Sequence, residues 1–152
     1  MFGFIFWMSA EYAFLAEKGT PIMKRILVID DEPQIRSMLR MMLEREGYEV
    51  EEAPDGIEGI KRYRQKSTDL IITDLIMPNK DGIGMIIDLK KEFPGAKIIA
   101  MSGGGLNKPE GYLKGAQKLG AECTLTKPID RKEMLRAVKD ILKGSPSHID
   151  QS

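Results

Sequence analysis

From Lys24 onward the chain alternates short, wholly apolar runs with longer stretches of helical period, and that alternation admits few folds. Ile26-Leu27-Val28-Ile29, Leu70-Ile71-Ile72 and Ile98-Ile99-Ala100-Met101 carry no polar interruption, as strands do when both of their faces are covered. Tyr48 to Ala53 instead alternates with glutamates, and Cys123 to Thr126 mixes two threonines with apolar residues. Those two segments read as the edges of the sheet. Between the runs, Ile35, Met38, Leu39, Met42 and Leu43 form one helical stripe, and Met134, Leu135, Val138, Ile141 and Leu142 form another. Shorter helices fit Asp55 to Arg64 and Ile83 to Phe93, and a further one runs around Pro109 to Leu119. Gly47 and Gly120 stand where a left-handed cap closes a helix. Five strands and five helices in strict alternation make a doubly wound α/β domain with a parallel sheet over residues 23–143.

A sheet of this kind binds its ligand beyond the carboxyl ends of its strands, at the point where strand order reverses. Asp30 and Asp31 follow the first apolar run, Asp74 the third, Ser102 the fourth and Lys127 the fifth. Three carboxylates gathered at one edge repel each other unless a cation neutralises them. An oxygen-only ligand set selects a hard ion such as magnesium, which keeps several waters and needs only one or two direct carboxylates. Lys127 is suited to neutralise a transferring phosphoryl group and Ser102 to donate a hydrogen bond to it, which leaves an aspartate as the nucleophile. Taken singly, these residues have plainer readings. Asp30 and Asp31 could cap the helix that Pro33 opens, Asp74 could be a turn residue, and Lys127 could be solvated. Their joint register is what those readings leave unexplained. Glu32, at the start of the same helix, is expected only to complement its dipole.

Composition removes competing chemistries. Twenty-three basic residues balance twenty-three acidic ones, so no net field draws the chain to nucleic acid or an anionic membrane. The single cysteine, Cys123, precludes an intrachain disulfide and fits a cytoplasmic protein. The single histidine, His148, belongs to the segment 144–152, read as a flexible tail, which argues against a histidine-based site. The apolar stretch Met1 to Met8 is far shorter than the roughly 20 residues of a membrane span. Residues 1–22 read as an extension ahead of a natural start at Met23, or as an amphipathic segment that contacts a partner or membrane surface. The basic run Lys61-Arg62-Tyr63-Arg64 reads as a solvated helix face.

Four segments together resemble the response-regulator receiver domains of two-component signalling: Val28-Ile29-Asp30-Asp31-Glu32, Thr73-Asp74-Leu75-Ile76-Met77-Pro78-Asn79-Lys80-Asp81-Gly82, Ala100-Met101-Ser102-Gly103 and Thr126-Lys127-Pro128. Each is weakly specific alone, but their order and placement at strand ends are highly specific. The resemblance implies a flavodoxin-like fold with strand order 2-1-3-4-5. It implies that Asp74 accepts a phosphoryl group from a sensor histidine kinase or a histidine phosphotransfer protein, as a member of a phosphorelay. Mg2+, or Mn2+ in its place, would be bound by Asp31, Asp74 and the backbone carbonyl of Ile76, with Asp30 acting largely through water. Ser102 matches the switch hydroxyl, Lys127 the phosphate-contacting amine, and the bond to Pro128 is expected to be cis.

Because the sequence ends soon after its fifth helix, it is expected to be a stand-alone receiver that signals to a downstream effector by protein contact, and its balanced charge leaves no expectation of direct nucleic-acid binding. One departure concerns Thr124, which stands where family members often carry an aromatic switch residue. A turnover phosphatase or phosphomutase would place a general acid two residues after its aspartate, where this chain has Ile76. The chain therefore reads as a switch that catalyses only its own phosphorylation and dephosphorylation. Ile76 and Gly104 lack side chains able to position a water, so slow loss of phosphate is expected. The alternative is a degenerate receiver used as a phosphorylation-independent interaction module; the full set of charged residues weighs against it.

Overall fold

The computed structural model describes residues 23–77, 82–103 and 109–143. The expectations placed on residues 1–22, on residues 144–152 with His148, on Pro78 to Asp81 and on Gly104 lie outside them. Among the described residues the order is β1 (Arg25–Ile29), α1 (Pro33–Arg45), β2 (Glu49–Ala53), α2 (Gly56–Gln65), β3 (Leu70–Asp74), α3 (Gly82–Glu92), β4 (Ile98–Gly103), α4 (Pro109–Leu119), β5 (Cys123–Lys127) and α5 (Arg131–Leu142). All five strands are parallel, in the order β2-β1-β3-β4-β5. This is the expected doubly wound arrangement.

The apolar runs are unbroken because successive side chains leave a strand on opposite faces and both faces are covered. Ile26 and Val28 of β1 pack with Leu39 and Leu43 of α1 and Val138 of α5 in one core cluster. Leu27 and Ile29 enter the other, with Ile60 of α2 and Met85 and Ile86 of α3. Each such side chain, fully buried, contributes on the order of 1.5–3 kcal/mol relative to exposure. Gly47 and Gly120 adopt φ of +90° and +118°, angles open to glycine that end α1 and α4 as expected.

Two sequence expectations need correction. Met38 was placed on the buried stripe of α1 but is 42% exposed, because α1 seats on the sheet through Leu39 and Leu43, one face further round. Tyr63 lies in the basic run of α2 yet is buried, since it follows Ile60 by three residues and turns inward to meet the Phe93 ring edge-on at 5.0 Å. Only its basic neighbours face outward, Arg62 towards Glu58 and Arg64 towards Glu92.

Candidate functional site

The strand register carries the candidate residues to one edge. Ile29 pairs with Thr73, Asp74 with Met101, and Ser102 with Thr126, so β1, β3, β4 and β5 all end at about the same level. Strand order reverses between β1 and β3, and the carboxylates of Asp30 and Asp74 stand there.

Asp30 is fully buried and every polar group it has is engaged. Its amide donates to Ala53 O at 3.2 Å and its carbonyl accepts from Arg36 Nη1 at 2.7 Å. One carboxylate oxygen accepts from the Glu32 amide at 2.9 Å and the other from Lys127 Nζ at 2.8 Å. Asp31, the next residue, is exposed. Glu32 caps α1 without a side-chain cap bond, and its carboxylate lies 3.8 Å from Lys127 Nζ. Carboxylate oxygens of Asp30, Asp31 and Glu32 come within 4.8 Å of one another, a grouping able to hold a metal ion.

Asp74 ends β3, 5% exposed, with a carboxylate oxygen 3.3 Å from Lys127 Nζ. The Ile76 amide donates to its other oxygen at 3.4 Å. Beyond Asp74 the Leu75 amide donates to Met101 O at 2.9 Å and the Gly82 amide to Leu75 O at 2.8 Å. A side chain at Gly82 would collide with the Asp74 carbonyl and stand 2.5 Å from Leu75 Cα, so glycine lets α3 begin directly behind Asp74. Ser102 is buried within β4, one residue beyond the partner of Asp74, and its Oγ has no hydrogen-bond partner among the described residues. Buried hydroxyls are rarely left so. The Lys127–Pro128 bond is cis.

Lys127 is the counter-ion of this edge. Burial disfavours its charge, but the hydrogen bond to Asp30 and the charges of Asp74 and Asp30 outweigh burial and hold its pKa above the ordinary value. Asp74 is displaced upwards too. Burial is the largest cause and the Asp30 charge adds to it, while Lys127 and the Ile76 amide pull in the opposite direction.

Residues 26–139 match the response regulator receiver domain family. The chain belongs to that family. Among receiver relatives, the chemotaxis protein CheY from Halobacterium salinarum is 34% identical over 119 residues, covering 78% of this chain and 97% of its own. A response regulator receiver domain protein from Clostridium thermocellum superposes with a TM-score of 0.74 at 31% identity, over 80% of this chain and 96% of that one. The response regulator TrrA from Thermotoga maritima, crystallised in complex with Mg2+-BeF, superposes with a TM-score of 0.70 at 34% identity, over 78% and 99% of the two chains.

Of the residues expected at the site, Asp30, Asp74 and Lys127 form one contact group, with Asp31 beside it and Ser102 at the neighbouring strand end. Ile76 is 57% exposed, and Thr124 is half-buried on β5. Two residues join the group that the sequence reading did not place there. Glu32 was assigned only to the helix dipole, although its position beside two aspartates was a signal. Arg36 carried no local signal, because its contacts depend on the approach of β2.

Proposed function

We propose that this receiver is a phosphorylation switch that accepts a phosphoryl group on Asp74 from the phosphohistidine of a sensor kinase or phosphotransfer protein. A carboxylate oxygen of Asp74 attacks phosphorus as the bond to the donor nitrogen breaks, and an acyl phosphate forms. The observation that carries this reading is the single ammonium of Lys127 shared between Asp30 at 2.8 Å and Asp74 at 3.3 Å. A cation so placed favours the ionised form of this carboxylate, opposing the burial that raises its pKa, and so favours attack. It then neutralises charge on the arriving phosphoryl oxygens. The unpartnered Ser102 hydroxyl is free to donate to one of those oxygens.

The donor set fits Mg2+, with Mn2+ as a substitute: it is all oxygen, and the described cysteine lies in the core instead. Asp31, Asp74 and the Ile76 carbonyl would hold the ion directly. Both Asp30 oxygens already accept hydrogen bonds, which favours contact through water for that residue. When bound, the ion supplies Lewis-acid neutralisation of the phosphoryl oxygens.

Output is by protein contact with an effector in the cytoplasm, without direct binding of nucleic acid. No described helix is long and apolar enough to cross a membrane. The chain performs no turnover beyond its own phosphorylation and dephosphorylation. Wild type should be labelled by a small phosphodonor with Mg2+ and Asp74→Asn should not; undiminished labelling of the variant would move the acceptor elsewhere.

A further inference from the structure

Asp31 stands apart from its neighbours. Among the described residues no hydrogen bond restrains its carboxylate, so where that carboxylate can reach depends on the backbone that carries it and on its own rotamer. That backbone is held on both sides of Asp31: the Glu32 amide donates to Asp30 Oδ1 at 2.9 Å, and the preceding peptide is held at its carbonyl. The carbonyl of Asp30, half of the Asp30–Asp31 peptide, accepts a 2.7 Å hydrogen bond from Arg36 Nη1. A charge-assisted bond of this length is among the stronger ones a carbonyl makes.

Arg36 is itself fixed. Its Nε lies 3.4 Å from Glu52 Oε1, with the two side chains only 18% and 23% exposed. Glu52 precedes Ala53, whose carbonyl accepts the Asp30 amide at 3.2 Å. The contacts therefore close a ring: from β2 through Glu52 to Arg36, on to the Asp30 carbonyl, and back from the Asp30 amide to β2. A guanidinium offers donors in a rigid plane and serves both ends of this ring at once, whereas an ammonium is a point donor on a flexible stem. Arg40, one turn further along α1, also pairs with Glu52. Its other bonds go to Val50 O and Glu44, and none reaches the loop after β1.

We infer that Arg36 is a positioning residue for the cation site, holding the Asp30–Asp31 peptide against the end of β2 so that the Asp31 carboxylate faces Asp74. The inference rests on the reading in which Asp31 and Asp74 ligate the ion. Arg40 provides an internal control, since it shares the helix, the strand and Glu52 with Arg36 but not the peptide.

The test is calorimetric titration of the full chain with Mg2+, alongside the amide resonance of Asp31 in the metal-free protein. Arg36→Met should weaken Mg2+ binding by about tenfold to a hundredfold and shift that resonance. Arg36→Lys should recover part of the affinity, and Arg40→Met should keep it while lowering the melting temperature. Wild-type affinity in Arg36→Met, or an equal loss in Arg40→Met, overturns the inference. If Arg36→Met shows no cooperative melt, Arg36→Gln and Arg36→Lys decide, and wild-type affinity in both overturns it. A wild type that takes up no Mg2+ overturns the reading beneath and this inference with it. Binding by wild type that is lost in Asp31→Asn yet unchanged in the Arg36 variants overturns this inference alone.

Discussion

Lys127 and Asp30, 97 residues apart in sequence, meet at 2.8 Å, and neither of their strands is the other's neighbour in the sheet. The same ammonium serves Asp74, so it occupies the electrostatic position that a bound cation also favours. Lys127→Met should therefore separate two properties. Mg2+ should bind about tenfold more tightly once the competing charge is gone, while the rate of phosphorylation should fall by about 10²–10³. Titration calorimetry and labelling with a small phosphodonor measure the two. A parallel fall in both would mean that Lys127 only supports the fold.

Ionised Asp74 works against folding in the metal-free protein. Burial, then the Asp30 charge, raise its folded-state pKa above the ordinary 3.8. Its contribution to stability is accordingly complete below 3.8 and is lost as pH rises through the raised value. Asp74→Asn should melt a few degrees higher than wild type at neutral pH without Mg2+, and the gap should close on acidification to below 3.8. Saturating Mg2+ should narrow the gap from the other side, since an ion bound only by the folded state stabilises it. Thermal melts across pH, with and without Mg2+, test both halves.

Ile76 is 57% exposed and follows Asp74, the proposed acceptor, by two residues. Its side chain has no group to orient a water, so the acyl phosphate should be long-lived. Ile76→Asn should hasten its loss by on the order of tenfold. Following decay of the labelled protein in Mg2+ after removal of the donor gives the rate, and an unchanged half-life would remove Ile76 from the path of water.

Cys123 is buried in the core on β5, and burial, with the charges of Glu133 and Asp140, pushes its thiol up to about 11 from 9.0. A difference of two units lowers the thiolate fraction about a hundredfold. Alkylation with iodoacetamide near neutral pH should be slower than for the unfolded chain by at least that factor. A raised folded pKa also means that this group's contribution to stability is complete below 9.0 and declines as pH rises towards about 11. Cys123→Ala should flatten that alkaline loss, and equal alkaline slopes would exclude the thiol as its source.

The parts of the fold that could be read from sequence are those whose physics is local. β1, β3 and β4 announce themselves through the unbroken apolar runs Ile26–Ile29, Leu70–Ile72 and Ile98–Met101, which strands covered on both faces require, and β2 through the glutamates that interrupt its apolar residues. Ser102 was expected just past its strand and lies within it, because pairing with Thr126 extends the ladder of β4 to Gly103. At the site, Asp30, Asp74 and Lys127 were legible through their common position at strand ends. Glu32 and Arg36 were not, since one turns from the helix end towards Lys127 and the other meets Glu52 on a strand that arrives sixteen residues later.

The reach of Lys127 has a consequence for failure. Its strand is the last in sequence and an edge of the sheet, and its amine crosses the ends of β4 and β3 to touch the end of β1. If β5 frays, the far end of the chain withdraws the charge from the near end, and Asp74 is left beside Asp30 with its repulsion uncancelled. On the proposed function, a protein whose β5 has frayed should be a poor acceptor as well as an unstable one.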